Sequence, residues 1–245
     1  MRAVLEVDGV VKRYGARLVV DRVSFAVAAG ECLGVIGPNG AGKTTLFGLL
    51  DGSVSADAGS IVLDGTAIDR LPQYRRARMG IGRAFQVPRP FAGLTVFENV
   101  LVGAMHDPAA SVGSARRRAL AVLEEVGLSD RLDMPAGRLP LLDRKRLELA
   151  KAMSIGNKAL LLDEIAGGLT ELEVLELIEI VKSLRTGRAV IWIEHIPHAL
   201  VAAADRIMVL HYGAKLIEGR CAEVMASPLV QEVYLGIAVD DAAHA

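Results

Sequence analysis

The stretch that decides the fold is residues 37–45, Gly37-Pro38-Asn39-Gly40-Ala41-Gly42-Lys43-Thr44-Thr45. It follows the pattern G-x-x-x-x-G-K-[ST], whose glycines let the backbone curl so that successive N–H groups point at phosphate oxygens. Lys43 adds positive charge near the β- and γ-phosphates, and the Thr44 hydroxyl is a ligand for Mg²⁺. Every residue of the stretch is therefore a candidate phosphate-binding residue, and the motif predicts a nucleoside triphosphate site.

The sequence on either side of this loop has the pattern that the motif requires. Residues 32–36 form a short apolar run typical of a buried strand, and residues 46–50 continue as an apolar helix. The N-terminus of that helix presents the positive end of its dipole to the same phosphates. The alternative, a glycine-rich turn without function, does not account for the strand before the loop and the helix after it.

Composition narrows the class of protein. The chain has 245 residues, 52% of them hydrophobic, which suffices for a sizeable core. Its most apolar stretch, residues 189–210, contains several charged side chains, so it predicts buried strands and not a membrane-spanning helix. The formal net charge of −1 gives no basic field, so we expect no nucleic-acid partner. Cys32 and Cys221 are too few for a disulfide framework and are predicted to be reduced thiols. Residues 1–6 show no signal-peptide pattern, which predicts a cytoplasmic chain.

Strand and helix patterns alternate along the chain, which predicts an α/β fold with a mostly parallel sheet and helices on both faces. The stretch 87–155 lacks strand patterns and predicts a helical subdomain inserted into that sheet. Besides the segments around the loop, strands are predicted at 3–8, 18–28, 61–66, 81–85, 159–163, 189–193 and 206–210, and helices at 96–105, 115–127, 139–153 and 171–185.

Two carboxylates follow the apolar strand at 159–163. Asp163 at the end of the strand is a candidate ligand for Mg²⁺, directly or through water. Glu164 is placed to polarise a water molecule aimed at the γ-phosphate. The alternative is a buried strand with a solvated acidic end, which would be preferred if the phosphate loop were absent.

Three further side chains are candidates for the same site. His195 follows the predicted strand 189–193, at the edge where an open α/β sheet binds its ligand, and could contact the γ-phosphate. Gln86 follows the strand at 81–85, and its amide could reach Mg²⁺ or the attacking water. Tyr14 could stack on adenine, and the alternative is an ordinary surface tyrosine.

Taken in order, these motifs resemble the nucleotide-binding domain of ABC transporters over almost the whole chain. The matching pieces are Tyr14 (aromatic adenine loop), Gly37–Thr45 (Walker A), Gln86 (Q-loop), Leu160–Glu164 (Walker B and the catalytic carboxylate), Ala166–Thr170 (D-loop) and His195 (switch histidine).

The resemblance implies ATP as the nucleotide and Mg²⁺ as its metal. It implies Glu164, His195 and Gln86 as catalytic residues, and Thr44, Gln86 and Asp163 as metal ligands.

The resemblance also implies the fold: a P-loop NTPase of the ABC type, with a mostly parallel core sheet, an N-terminal antiparallel β subdomain and an inserted helical subdomain. We expect one nucleotide-binding domain over residues 1–245. Its parts are a core at 1–86 and 156–215, a helical subdomain at about 87–155 and a C-terminal tail at 216–245.

Within that family the chain is most similar to the ATPases of branched-chain amino acid importers. The resemblance implies two permease partners, a second ATPase subunit and a peripheral position on the cytoplasmic face of the inner membrane. An exporter ATPase such as that of lipopolysaccharide transport is the alternative within transport. Soluble ABC proteins of translation or DNA repair usually carry two nucleotide domains or a long coiled coil, and neither is present. The stretches that carry the likeness are 80–86, 94–103, 146–150, 204–207 and 232–236.

One segment departs from the family. Where ABC proteins have L-S-G-G-Q, residues 139–143 read Leu139-Pro140-Leu141-Leu142-Asp143. In the family, this serine hydroxyl and the glycine N–H groups hold the γ-phosphate bound by the opposite subunit. Pro140 has neither hydroxyl nor N–H, and we expect Asp143 to add negative charge near that phosphate. The departure favours a heterodimer over a homodimer, and it also admits a regulatory subunit with weak turnover.

Overall fold

The computed structural model of the protein describes residues 2–106 and 110–235, so part of the predicted tail 216–245 lies outside it, as does the end of the stretch 232–236. The strands are β1 (Ala3–Tyr14), β2 (Arg17–Ala28), β3 (Cys32–Ile36), β4 (Ala58–Leu63), β5 (Thr66–Ala67), β6 (Ile81–Ala84), β7 (Ala159–Asp163), β8 (Ala189–Ile193), β9 (Arg206–His211) and β10 (Ala214–Arg220). The helices are α1 (Lys43–Asp51), α2 (Gln73–Met79), α3 (Val96–Ala104), α4 (Val112–Glu125), α5 (Leu141–Ile155), α6 (Glu171–Leu184), α7 (Pro197–Ala203), α8 (Cys221–Met225) and α9 (Pro228–Val230).

The strands form two sheets. Four of them make an antiparallel sheet in the order β2-β1-β4-β5, and six make the core sheet in the order β10-β9-β3-β8-β7-β6. In the core sheet β9, β3, β8, β7 and β6 run parallel, and only β10 pairs antiparallel to its neighbour. The predicted α/β fold with a mostly parallel core sheet is therefore confirmed.

Each parallel strand separates two apolar cores, because successive side chains along a strand point to opposite faces. On β7, Ala159 and Leu161 belong to the core shared with α1 and the antiparallel sheet. Leu160 and Leu162 belong to the core beneath α3–α6, which also contains the fully buried Trp192. The strands are thus buried on both sides, which explains why their sequences are nearly continuous apolar runs.

Some predicted boundaries were wrong, and each has a local cause. Strand β1 continues past residue 8 to Tyr14, because irregularities after Val7 let its pairing with β2 resume and hide the alternating pattern. The strand predicted at 61–66 turns at 64–65, so Thr66 begins a separate strand. Helix α5 begins at Leu141 and not at residue 139, because Pro140 has extended backbone angles.

Helices α3, α4 and α5 follow β6 in the chain and pack on one another before β7 begins. The boundaries predicted for a helical subdomain, about 87–155, stay a prediction.

Cys32 is buried, Cys221 is half-buried, and both are free thiols. No helix in the described part of the chain is long and apolar enough to cross a bilayer.

The buried side chain of Arg76 fixes the far end of α1, the helix that begins at Lys43. Only 1% of Arg76 is exposed. Its Nη1 donates to the carbonyl oxygens of Leu49 (2.5 Å) and Leu50 (3.1 Å) in the last turn of α1. Its Nε and Nη2 donate to the carbonyls of Leu71 and Asp69, both at 2.8 Å. The guanidinium therefore satisfies the carbonyls that a helix leaves unpaired at its C-terminus.

Replacing Arg76 by Met should lower the free energy of unfolding by about 2–4 kcal/mol, because buried carbonyls lose their donors. Urea denaturation followed by circular dichroism would measure this change. Arg75 lies on the exposed face of the same helix, and Arg75→Met should stay within about 0.5 kcal/mol of the parent. Equal losses from the two substitutions would contradict this role of Arg76.

Candidate functional site

The loop at residues 37–42 curls tightly between β3 and α1, and glycine occupies two crowded positions in it, Gly37 and Gly42. Gly42, immediately before α1, has a φ of 100°, in the left-handed region. A Cβ atom there would lie 2.5 Å from the carbonyl oxygen of Val19, so no other residue fits without a shift of the backbone. The loop therefore lies directly against β2 and leads into the N-terminus of α1.

Lys43 is folded back into the loop. Its ammonium donates to the carbonyl oxygens of Gly37 (2.8 Å) and Pro38 (3.2 Å). Burial lowers the pKa of Lys43, while the carboxylates of Glu164 and Asp163 act in the opposite direction. The side chain is thus a buried cation whose partners in the described chain are neutral carbonyls and more distant carboxylates.

A cavity of about 340 Å³ opens over the loop and brings together residues that are far apart in the sequence. Its walls include Tyr14, residues 39–45 of the loop and Glu164. Tyr14 is 51% exposed, and the Lys12 ammonium lies 5.5 Å from the centre of its ring. Arg17 also lines the cavity, and sequence reasoning missed it because its position follows only from the hairpin between β1 and β2.

Glu164 is at the centre of the predicted catalytic residues. Its Oε2 accepts a hydrogen bond from the Gln86 amide at 2.5 Å, and its Oε1 lies 2.6 Å from Nε2 of His195. The three side chains follow β6, β7 and β8, which are adjacent in the sheet. Glu164 also has a φ of 48°, an unfavourable conformation for a residue with a side chain. The structure thus places Gln86, Glu164 and His195 together at one edge of the sheet.

Asp163 and Thr44 border a second cavity, of about 470 Å³, together with Gln86. No group of three or more His, Cys, Asp or Glu side chains within residues 2–106 and 110–235 is placed to hold a metal. A hydroxyl, an amide oxygen and one carboxylate at a shared cavity are hard oxygen donors. This set fits Mg²⁺, which typically takes one or two carboxylates and completes its coordination with phosphates and water.

Arg83 is a site residue that sequence reasoning missed. It lies on β6 and forms ion pairs with Asp51 at the end of α1 (2.7 Å) and with Asp163 (2.5 Å). Burial opposes its charge, but the hydrogen bonds to these carboxylates outweigh burial and raise the pKa of Arg83. A charged residue inside an otherwise apolar strand is the one signal in the sequence that pointed to it.

Two other buried charges hold the loops that carry the site, and both were missed. Glu194, with 2% of its surface exposed, accepts from the backbone N–H groups of Ala166 (2.7 Å) and His195 (3.1 Å). Burial raises the pKa of Glu194. Lys145 on α5 donates to the carbonyl of Gln86 at 2.5 Å, and burial lowers the pKa of Lys145.

The expectation for Asp143 was wrong. Its side chain is 5% exposed and pairs with Arg131 at 2.6 Å and Arg146 at 3.3 Å, so its charge is compensated within this chain. Pro140 lies immediately before the first turn of α5 and forms no side-chain hydrogen bond to it. The next residue, Leu141, is 39% exposed. The surface that this segment presents is therefore apolar and not negative.

Comparisons with known proteins agree with this geometry. A family model described as ABC transporter matches residues 20–167. The high-affinity branched-chain amino acid transport ATP-binding protein LivG of Salmonella typhimurium is 36% identical in an alignment of 248 positions that covers 95% of this chain and 97% of LivG. The lipopolysaccharide export system ATP-binding protein LptB of Acidithiobacillus ferridurans is 35% identical over 237 residues, which cover 96% of this chain and 98% of LptB.

The fold comparison gives the same family. The crystal structure of an ATP-binding cassette of an ABC transporter in its ADP conformation superposes with a TM-score of 0.87 at 28% identity, covering 97% of this chain and 100% of that chain. The sequence comparison and the fold comparison thus give the same family. The chain belongs to the ABC transporter ATP-binding family and is an ATPase coupled to transport.

Proposed function

We propose that this chain binds and hydrolyses ATP to energise an importer of branched-chain amino acids or similar small polar solutes. The observation that carries the proposal is the contact of Glu164 with both Gln86 and His195 beside the phosphate loop. The similarity to LivG supports import. The similarity to LptB supports a second candidate, an exporter ATPase of the lipopolysaccharide-transport type.

Nucleotide binding is assigned to the first cavity. Tyr14 stacks on adenine, and the N–H groups of residues 37–45 surround the phosphates. Lys43 leaves the carbonyls of its own loop and contacts the β- and γ-phosphates, because anionic oxygens are stronger acceptors than neutral ones. Thr44, Asp163 and Gln86 would hold Mg²⁺, and the bound ion would neutralise phosphate charge.

Hydrolysis is assigned to the three side chains around Glu164. The Glu164 carboxylate polarises a water molecule towards the γ-phosphate. Gln86 positions that water or the metal, and His195 contacts the γ-phosphate. Because Gln86 and His195 contact different oxygens of Glu164, loss of either partner would leave the Glu164 side chain held at one oxygen only.

Replacing Glu164 by Gln should leave ATP binding intact and lower turnover by about 10²–10⁴-fold, because the amide keeps the size but lacks the charge that polarises water. Calorimetry would measure binding, and phosphate release would measure turnover. Glu179 lies on the exposed side of α6, and Glu179→Gln should retain the parent rate. Hydrolysis at the parent rate by Glu164→Gln would show that Glu164 is not the base.

The segment from Gln86 to about Gly103 is proposed to bind a cytoplasmic helix of the permease, which would place the chain on the cytoplasmic face of the membrane. The second cavity is lined by Gln86 and also by Arg89 and Lys151. Lys151 donates to the Arg89 carbonyl at 2.9 Å, which ties this loop to α5. Phe91, 54% exposed, offers an apolar contact that the described part of the chain leaves uncovered. A helix bound there would be linked to the nucleotide through Gln86.

Replacing Phe91 by Asp should abolish transport and leave nucleotide binding unchanged, because a charge would replace the apolar contact with the permease. Transport into proteoliposomes and ATP affinity of the isolated chain would be compared. Leu120, another exposed apolar residue, lies on α4 outside the segment 86–103, and Leu120→Asp should retain transport. Loss of ATP binding together with transport would indicate misfolding and contradict the prediction.

The altered segment at residues 139–143 supports a heterodimer. In ABC dimers, each ATP lies between the Walker A loop of one chain and the L-S-G-G-Q segment of the other, which is called the signature. This chain has complete Walker A and Walker B motifs. At the signature position, however, Pro140 and Leu141 stand where the family has a serine hydroxyl and a glycine that contact the partner's nucleotide. We propose that its partner is a related ATPase with an intact signature. That signature would complete the ATP site at Lys43 of this chain. The ATP site of the partner would face the altered segment and would hydrolyse ATP slowly.

Purified alone, the chain should hydrolyse ATP about 10²-fold more slowly than in complex with such a partner, which is the typical loss when a transition-state donor is removed. Within the complex, Glu164→Gln should remove most turnover, whereas the matching substitution in the partner should remove little. Brisk cooperative turnover by the chain alone would contradict the heterodimer, as would equal losses from the two substitutions.

A further inference from the structure

Arg83 holds two carboxylates in a fixed arrangement. Its Nη1 binds Oδ2 of Asp51 at 2.7 Å and its Nη2 binds Oδ2 of Asp163 at 2.5 Å. The planar guanidinium also lies near two aromatic rings, with its central carbon 5.6 Å from the ring centre of Phe47 and 4.9 Å from that of Phe85. Two ion pairs and two ring contacts restrict the side chain, so we expect little freedom for the Asp163 carboxylate that it holds.

The contact with Arg83 makes the two carboxylate oxygens of Asp163 different from each other. Oδ2 is engaged by Arg83, and no other hydrogen bond or ion pair to this carboxylate occurs within the described residues. Oδ1 is therefore the oxygen that remains for a cation. Thr44 lines the same cavity, so a cation bound by its hydroxyl would meet a single oxygen of Asp163.

The number of carboxylate oxygens distinguishes the two common cellular divalent cations. Mg²⁺ requires close to octahedral coordination at short distances and takes one oxygen from each carboxylate. Ca²⁺ accepts six to eight oxygens and often binds both oxygens of one carboxylate. A carboxylate restricted to one oxygen therefore penalises Ca²⁺ more than Mg²⁺.

We propose that Arg83 is a positioning residue that restricts Asp163 to a single free oxygen and thereby makes the nucleotide site prefer Mg²⁺ over Ca²⁺. The inference rests on the ATP and metal site proposed above. The positive charge of Arg83 repels Mg²⁺ and Ca²⁺ alike, so charge alone would not change the preference between them. A change in the preference between the two cations therefore reports on the geometry of Asp163.

The test measures how tightly the full chain binds a non-hydrolysable ATP analogue by calorimetry in titrations with Mg²⁺ or with Ca²⁺. In Arg83→Met, Asp163 gains the use of both oxygens, and the ratio of Mg²⁺ to Ca²⁺ affinity should fall by about tenfold. Arg83→Lys keeps the charge but not the two-pronged contact, so the ratio should fall in the same direction and by less. Arg188→Met, which removes a cation paired with Glu125, should leave the ratio unchanged.

An unchanged ratio in a folded Arg83→Met that still requires a divalent cation would overturn the inference and leave the proposed ATPase intact. If Arg83→Met does not fold, Arg83→Lys decides, and a parent ratio in that variant overturns the inference. Failure of the parent chain to bind the ATP analogue with either metal would overturn the proposed function itself and the inference with it.

Discussion

The parallel alignment of β3, β6, β7 and β8 is the constraint on which the rest of the structure depends. Parallel strands end at the same edge of a sheet, so the segments that follow them meet there although they are far apart in the chain. The register places Val35 and Asp163 opposite the same residue of β8, Ile193. The phosphate loop, Glu164 and His195 are therefore brought together by backbone hydrogen bonds of the sheet, before any side-chain contact is considered.

Those features that depend on local sequence could be predicted. The phosphate loop is a contiguous motif, and Asp163, Glu164, His195 and the end of the Q-loop strand are marked by the ends of apolar runs. Their meeting at one edge follows from the α/β pattern alone. The end of β1 and the start of α5 were misplaced because an irregular pairing and a proline interrupt the patterns from which boundaries are read.

Several buried charges could not be predicted, because at least one partner of each lies far away in sequence. Arg83 and Asp163 are 80 residues apart, and Asp143 pairs with Arg131, which lies outside its own helix, as well as with Arg146. The sequence shows that Asp143 carries a charge but does not show which side chains surround it. The expectation of a negative surface at this residue was therefore wrong. Buried charged groups are paired, and it is the tertiary fold that determines which partner each of them has.

The backbone at Glu164 has a consequence for how this site relates to the stability of the fold. With a φ of 48°, the residue adopts a conformation that costs a side-chain-bearing residue roughly 1–2 kcal/mol and costs glycine almost nothing. A glycine there would relax the turn after β7 and remove the carboxylate. Optimising the chain for folding alone would thus remove the glutamate, and design methods that reward stability will tend to erase this position unless it is held fixed.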